Sequence, residues 1–383
     1  MTPFSQFLRN AKSAVQLSRS VVFVVGNESC DMDSFASSIL TAFFYHHTAS
    51  GQPVVPLINI PRTYLSLRAD IVHVMTTLGI KNEWLLFIDD NCIVKRRAES
   101  GTDKLFLVDH NRVTPTITKL LGDSVVGVID HHADEKLYGS SIGSGPHVIK
   151  KSGSCSSLVM NYWRTQILDE VFFSNPELAI LALCPLLLDT SNMKDKVEDP
   201  DRENYEWLKK SQEISDIKEL YKTLQRKKKD LSSLSVKGIL AKDYKEWGSG
   251  GEDSDKNKLG ISTIPESAQW LEMHHPDLYQ EFKEWANEQG LSVAVMMTSF
   301  SDNKKHRRQL VIWINSNESD AIASVSAFVD LQQTAELALK PTPTEAARIA
   351  GVQVFEQENA RASRKQVAPL LRQQLHGESL TSL

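Results

Sequence analysis

Aspartates that follow four apolar runs carry most of the chemistry legible in this 383-residue chain. They stand in Val-Val-Phe-Val-Val-Gly-Asn27-Glu-Ser-Cys-Asp31-Met-Asp33-Ser, Leu-Phe-Leu-Val-Asp109-His-Asn, Val-Val-Gly-Val-Ile-Asp130-His131-His132 and Leu-Leu-Leu-Asp189-Thr. A buried strand that stops at a carboxylate presents it from the carboxyl edge of a sheet, where open α/β sheets place their ligand crevices. Carboxylates gathered there repel one another unless a cation sits between them. Asp-x-Asp and His-His add further donors, so the pattern reads as a site for hard divalent metal, and two ions suit it better than one. Asp31 and Asp33, two apart on a loop leading into a helix, can address two neighbouring cations, and Asp109 is placed to bridge them. His131 brings an imidazole, which suits Mn²⁺, Co²⁺ or Zn²⁺ more than Mg²⁺. Asp189 completes the set. Asp130 reads as a partner that orients an imidazole, with a plain structural role as the alternative. For any one of these aspartates a helix N-cap is a competing reading; their joint arrangement favours ligation.

Alternating strands and helices must position these groups. Apolar runs at Val21–Val25, Pro53–Asn59, Trp84–Ile88, Leu105–Val108 and Val125–Ile129 predict strands. Helices are expected at Ser34–His47 and Thr63–Leu78, the latter from Ile71, Met75 and Leu78 at helical spacing. Short β-rich runs between helices signal a doubly wound, mainly parallel sheet. Asn175-Pro176-Glu177 resembles an N-cap, a first-turn proline and an acid opening the apolar helix that delivers Asp189. Lys194–Lys210 is expected to form an exit helix and Ser211–Asp216 a hinge, giving domains 1–212 and 213–383. The second domain is a smaller α+β unit, with strands at Leu291–Ser299 and Gln309–Ile314 and helices at Ser267–Glu288 and Asp320–Ala338. Thr342-Pro-Thr-Glu345 reads as a capping box opening a last helix, and Gly248–Asp255 as a loop.

Composition narrows the function. A net charge of −5 gives no global basic field for duplex nucleic acid. Four cysteines, Cys30, Cys92, Cys155 and Cys184, show no Cys-x-x-Cys pairing, which argues for a reducing compartment and against a zinc ribbon or disulfide scaffold. No apolar stretch approaches the ~20 residues of a membrane span. Arg9, Lys12 and Arg19, with serines and no acid in the first 20 residues, weakly resemble a mitochondrial presequence; an amphipathic helix packed on the first domain is the favoured reading. The expected location is cytoplasmic, with a mitochondrial fraction as the alternative. Arg226-Lys-Lys-Lys229 and Lys304-Lys-His-Arg-Arg308 are either solvated faces or the lining of a polyanion channel. His46-His47 and His274-His275 read as surface or helix-end histidines. Ser152-Gly-Ser-Cys-Ser-Ser157, before an apolar helix, suits either a bound phosphate or simple capping.

The ordered series Asn-Glu-Ser-Cys-Asp-Met-Asp-Ser, Asp-His-Asn, Asp-His-His and the later Asp resembles the four motifs of the DHH phosphoesterase superfamily. The resemblance covers nearly the whole chain. The second half lacks the glycine-rich Gly-Gly-His-type signature of the nuclease and cyclic-dinucleotide branch. It has Asp243-Tyr-Lys245-Glu-Trp and Ser363-Arg364-Lys365 instead, similar to the branch of family II inorganic pyrophosphatases and exopolyphosphatases. This resemblance implies Asp31, Asp33, Asp109, His131 and Asp189 as ligands of two divalent ions, Mg²⁺ or Mn²⁺ with Co²⁺ as a further option, in a cleft between the domains. It implies His132 beside the substrate, with Lys245, Arg364 and Lys365 gripping phosphates; Arg308, from the second basic cluster, is a further candidate for substrate binding. A hydroxide shared by the metals would attack the terminal phosphorus in line. The chain departs from the pyrophosphatases at Asn27, where they have a histidine ligand. Asparagine there is the pattern of the eukaryotic, fungal-type exopolyphosphatases and their prune-like relatives. The implied activity is release of terminal orthophosphate from inorganic polyphosphate, with Asn27, Asp109 and His132 as catalytic residues. Manganese-dependent pyrophosphatase and prune-like short-chain or regulatory binding protein are the alternatives. No nucleic-acid or membrane partner is expected, and a monomer is favoured with a dimer left open.

Overall fold

A computed structural model describes residues 2–48, 51–96, 102–139, 142–143, 145–167, 169–211, 216–232, 234–248, 257–315 and 337–376. In it, the apolar runs of the first half become parallel strands: β1 (Val22–Val25), β2 (Val54–Ile58), β3 (Leu86–Phe87), β4 (Lys104–Val108), β5 (Val125–Asp130) and β6 (His147–Ile149). Their sheet order is β3-β2-β1-β4-β5-β6, and every pairing is parallel. The order reverses between β1 and β4, so the chain leaves their carboxyl ends in opposite directions and opens a crevice there. The loop Gly26–Asp31 follows β1 and Asp109 follows β4, so two of the aspartate motifs meet at that switch point.

The helices of this part are α1 (Pro3–Leu17), α2 (Met32–Thr48), α3 (Ala69–Thr77), α4 (Asn91–Arg96), α5 (Pro115–Leu121), α6 (Cys155–Arg164), α7 (Asp169–Phe173), α8 (Glu177–Asp189), α9 (Asp199–Ser211) and α10 (Ile217–Lys229). Helix α2 is buried all round from Met32 to Phe44, packed on β2 and covered by α6 and α8. A helix apolar on every side belongs inside a layered core. The amino-terminal segment is the expected amphipathic helix: α1 buries Phe4, Phe7, Leu8, Ala11 and Val15, and sets Phe4 and Phe7 edge-on to Phe43.

Several boundaries differ from expectation for local reasons. Asn175 does not cap α8 with its side chain; its Oδ1 accepts from the Phe4 amide (2.8 Å), tying α1 to the start of α8. Thr63–Leu78 divides into a 3₁₀ turn, Arg62–Leu67, and α3. Only Leu86–Phe87 of Trp84–Ile88 is strand. The exit helix begins at Asp199, because Thr190–Lys196 is coiled into tight turns. The compact units are Met1–Asp230 and Leu231–Leu383. Helix α10 belongs to the first, because Ile217, Leu220, Tyr221 and Leu224 pack on its core. The expected hinge falls mostly on residues 212–215, outside the described residues.

The second unit is built on β7 (Tyr244–Trp247), β8 (Leu259–Ile264), β9 (Val293–Thr298), β10 (Phe300–Asp302), β11 (Lys305–Ile314), β12 (Leu339–Pro341) and β13 (Gln353–Gln357). The sheet runs β12-β13-β11-β9-β8-β7, with β10 paired to β11, and only β8–β9 is parallel. Its helices are α11 (Val236–Lys242), α12 (Ala268–His274), α13 (Leu278–Glu288), α14 (Glu345–Ala350) and α15 (Arg364–His376). The expected helix Ser267–Glu288 is two helices, because Pro276 disfavours helical backbone at His275. The cap of α14 is Thr344, whose hydroxyl accepts from the Ala347 amide; Thr342 lies outside the helix, and among the described residues α15 rather than α14 is the last helix. The expected helix Asp320–Ala338 and loop Gly248–Asp255 lie largely outside the described residues. Among those described, no helix is long and apolar enough to cross a membrane.

Candidate metal centre

The turn from β1 into α2 lays down the first acids. Gly26 approaches the Ser34 backbone so closely that a Cβ would sit 2.8 Å from Ser34 O. Cys30 turns through a left-handed conformation (φ 44°). Asp31 then caps α2, its Oδ1 accepting from the Ser34 amide (3.1 Å), so the capping role and a ligand role through Oδ2 are compatible. Asp109 also sits left-handed (φ 60°), which aspartate tolerates better than most side chains. Its Oδ2 accepts from Ser34 Oγ (2.7 Å) and Asn27 Nδ2 (2.8 Å). The Asn27 Oδ1 in turn accepts from Ser29 N (2.9 Å) and Oγ (2.6 Å), so this amide is spent on holding the turn and Asp109.

The histidines meet Asp109 from the end of β5. His131 Nδ1 lies 3.0 Å from the Ser152 carbonyl, to which it donates. Its Nε2 thereby faces Asp109 Oδ1 at 3.2 Å and Asp33 Oδ2 at 3.9 Å. His132 Nδ1 donates to Asp130 Oδ1 (2.8 Å), leaving a half-exposed ring. Asp130 is fully buried and also accepts from Asn111 Nδ2 (2.5 Å) and the His131 amide (2.8 Å). Asp130 therefore orients an imidazole, as expected from the sequence, and that imidazole is His132. Asp109, His131 and His132 each bring a ligand atom within 4.8 Å of the others.

Asp33 lies against the start of α6. Its carboxylate accepts from the Cys155 amide (2.6 Å), the Ser156 amide (2.9 Å) and Ser154 Oγ (2.8 Å). The Ser152–Ser157 segment is therefore a capping device, satisfied by an aspartate from α2. Sequence reasoning missed the residue that builds it. Asp201, buried in the first turns of α9, accepts from Ser152 Oγ (2.9 Å), Gly153 N (2.7 Å), Ser154 N (3.3 Å), Ser157 Oγ (2.7 Å) and Glu198 N (2.9 Å). A Cβ on Gly153 would meet Lys196 O at 2.6 Å and Asp201 Oδ2 at 2.9 Å, so only glycine fits. Nothing in Asp199-Pro-Asp201 distinguishes Asp201 from an ordinary first-turn acid.

Asp189 ends α8, and the chain turns away through three left-handed residues, Ser191, Asn192 and Met193. Its Oδ2 is buried without a hydrogen-bond partner. Burial, then the Asp31 charge, pushes its pKa up to about 7. Burial also raises Asp33 well above the usual carboxylate range, reinforced by Asp109 and Asp189. Asp109 is raised by burial, although the hydrogen bond from His131 works against it. For His131, burial opposes the charge, but the hydrogen bond to Asp109 and the charges of Asp33 and Asp109 prevail and push it up to about 10. The cluster thus retains protons where a cation would relieve the same repulsion. The orphaned Asp189 oxygen and the imidazole–carboxylate pair at 3.2 Å fit a divalent metal.

In the second unit the two basic motifs meet. Arg364, at the start of α15, donates to the Asp243 carbonyl (2.8 Å) and to Asp243 Oδ1 (2.7 Å). Lys245 follows two residues later on β7, exposed, as Lys365 is on α15. Arg308 is half-buried and donates to the Ala360 carbonyl (2.9 Å), just before Ser363-Arg-Lys. Of the two histidine pairs, His46 packs against Phe7, His47 against Phe43, and His274 stacks on Trp270.

Two family models match the chain: the DHH family, N-terminal domain, over residues 21–184, and the DHHA2 domain over residues 222–374. A Schizosaccharomyces pombe protein provisionally named an exopolyphosphatase is 31% identical over 94% of this chain and 92% of its own length. The Mus musculus Exopolyphosphatase PRUNE1 is 26% identical over 96% of this chain and 78% of its own. In the pyrophosphatase direction, the manganese-dependent inorganic pyrophosphatase of Methanocaldococcus jannaschii is 22% identical over 72% of this chain and 81% of its own. A Methanococcus jannaschii crystal structure, provisionally assigned as a family II inorganic pyrophosphatase, has the same fold (TM-score 0.53, 19% identity, 93% of this chain and 99% of that one).

Proposed function

The chain belongs to the DHH family, with a DHHA2 domain in its second half, and on that basis we propose that it is an exopolyphosphatase, a metal-dependent phosphoric anhydride hydrolase that releases terminal orthophosphate from linear inorganic polyphosphate. The observation that carries this reading is the acid–imidazole cluster at the β1/β4 switch point, combined with Asn27 tied to Asp109. Asp31, Asp33, Asp109, His131 and Asp189 would hold two divalent ions, Mg²⁺ or Mn²⁺. Bound there, such ions lower the pKa of water and neutralise phosphoryl oxygens.

The chain's own residues do the rest. Asn27 and Ser34 fix the Asp109 carboxylate from one side, leaving its Oδ1 toward His131. The Ser152 carbonyl fixes the His131 ring so that Nε2 faces the acids. Asp130 takes the Nδ1 proton of His132 as a hydrogen bond and raises its pKa. His132 thus turns Nε2 away from Asp130, and in its protonated form would donate from it to a phosphoryl oxygen or to the leaving phosphate. Lys245, Arg364, Lys365 and Arg308 are the phosphate-holding cations in this reading. Arg364 is braced by Asp243 through both terminal nitrogens and would contribute its charge, as the lysines do, as a fixed positive centre.

The test is phosphate release from long polyphosphate, tripolyphosphate and pyrophosphate under Mg²⁺ and under Mn²⁺. Release from the longer chains should exceed that from pyrophosphate. Turnover of pyrophosphate alone would assign a pyrophosphatase, and no release from any of the three would leave a binding protein.

A further inference from the structure

The segments that follow β4 and β5 are joined by three consecutive residues, Asn111, Arg112 and Val113. Two of the ties are ordinary loop contacts: exposed Arg112 pairs with Glu135, and the Val113 amide donates to Tyr138 Oη (3.0 Å). Asn111 is buried and does more. Its Nδ2 donates to Asp130 Oδ2 (2.5 Å) and to the Ala133 carbonyl (2.9 Å), and its Oδ1 accepts from the Glu135 amide (2.9 Å). Two acceptors at one end and a donor at the other fix which way this carboxamide points.

The Asp130 carboxylate divides its partners between its two oxygens. Oδ1 accepts from the His131 amide (2.8 Å), the His132 amide (3.2 Å) and His132 Nδ1 (2.8 Å), whereas among the described residues Oδ2 is held by Asn111. The bond at Oδ2 fixes the carboxylate plane, and with it the line along which Oδ1 meets the His132 ring. The residue type matters here. A carboxamide donates to a buried carboxylate without neutralising it and still accepts from a backbone amide. An aspartate would set carboxylate against carboxylate, and a lysine or arginine would take up the charge that Asp130 offers to His132. Anchoring the loop needs only the contacts to Ala133 and Glu135; the donation to Asp130 serves the acid that orients His132. We propose that Asn111 is a positioning residue for the hydrolytic step, holding Asp130 so that His132 donates in one fixed direction. This rests on the exopolyphosphatase reading, in which His132 meets the substrate.

Asn111→Ala, His132→Ala, the double variant and Arg112→Ala, each full-length with tripolyphosphate and Mn²⁺, test this. Asn111→Ala should lower kcat about tenfold, a part of the ~10²–10⁴ that a positioned acid contributes, with KM within about threefold. Mn²⁺ affinity should also stay within about threefold, because the His131 ring rests on the Ser152 carbonyl. In the His132→Ala background the same substitution should change kcat less than about twofold, since no ring is left to orient. Arg112→Ala, which loosens only the outer tie, should keep kcat within about twofold of wild type. An unchanged kcat in Asn111→Ala, an equal fall in both backgrounds, a fall explained by lost Mn²⁺, or an equal fall in Arg112→Ala would each overturn the proposal. Should Asn111→Ala not fold, Asn111→Ser goes through the same cycle. If the wild type releases no phosphate, the activity reading fails separately, and the readout becomes the ring itself in crystal structures of wild type and variant. A His132 ring turned off Asp130 Oδ1 in the variant then sustains the positioning role, and an unmoved ring overturns it.

Discussion

Replacing Asp109 by asparagine separates a ligand role from a structural one. The carboxylate Oδ2 accepts two hydrogen bonds, from Ser34 Oγ and Asn27 Nδ2, whereas Oδ1 faces His131 Nε2 at 3.2 Å. An asparagine can keep both bonds only with its carbonyl oxygen at the Oδ2 position, which puts its NH₂ at the Oδ1 position. That NH₂ then donates to His131 Nε2 and occupies the lone pair a metal would need. No buried donor is orphaned, and a net hydrogen bond contributes only about 1 kcal/mol. One charge also leaves a cluster in which Asp33 is raised by burial and the Asp109 charge, and Asp109 by burial and the Asp31 charge. Fold stability without metal should therefore change by less than about 1.5 kcal/mol, or less than about 6 °C in melting temperature for a unit of this size. Turnover should fall by ~10³-fold or more, since a charged ligand and the imidazole are lost together. Phosphate release gives the rate, Mn²⁺ titration the affinity, and calorimetry of metal-free protein the fold. Near-wild-type turnover in a metal-loaded variant would refute the ligand assignment; a melting temperature lower by more than ~10 °C would make Asp109 structural.

Asp201→Asn should do the opposite. Gly153 N and Glu198 N both donate to Oδ2 while three groups donate to Oδ1, so an amide nitrogen at either position faces donors. Two buried amides left unpaired cost about 2–5 kcal/mol, readable as a melting temperature lower by ~5–15 °C, with weaker Mn²⁺ binding because Asp33 and His131 both rest on this loop. Asn27→His should favour Mn²⁺ over Mg²⁺ more than wild type does and raise kcat/KM for pyrophosphate relative to polyphosphate. An unchanged metal preference and ratio would confine Asn27 to bracing the turn. Metal-free protein should lose stability as pH rises from 5 to 9. Asp189 binds its proton more tightly when folded (about 7 against 3.8), so its contribution is lost up to about pH 7; His131, raised from 6.5 to about 10, loses its contribution from there upward. Saturating Mn²⁺ should flatten or invert that slope, because metal replaces the protons; melting curves at each pH decide it.

The α/β alternation, the parallel sheet and the strand-ending acids could be read from the sequence, because each is written within one strand or one turn. An apolar run must be buried, and an aspartate that stops it must emerge at the sheet edge, whatever lies elsewhere. The tie between Asn27 and Asp109, the Asp33 carboxylate at the start of α6 and the five donors on Asp201 could not be read, because their partners come from distant parts of the chain. Thr342 and Thr344 are equally plausible caps in sequence; only the position of the Ala347 amide selects the second. Ile217, Leu220 and Leu224 read in sequence as one face of any amphipathic helix, and only the fold lays that face on the core of the first unit. Hydrogen bonds and electric fields depend on distance in space, and once partners lie further apart than a turn or a strand, only the tertiary fold fixes that distance.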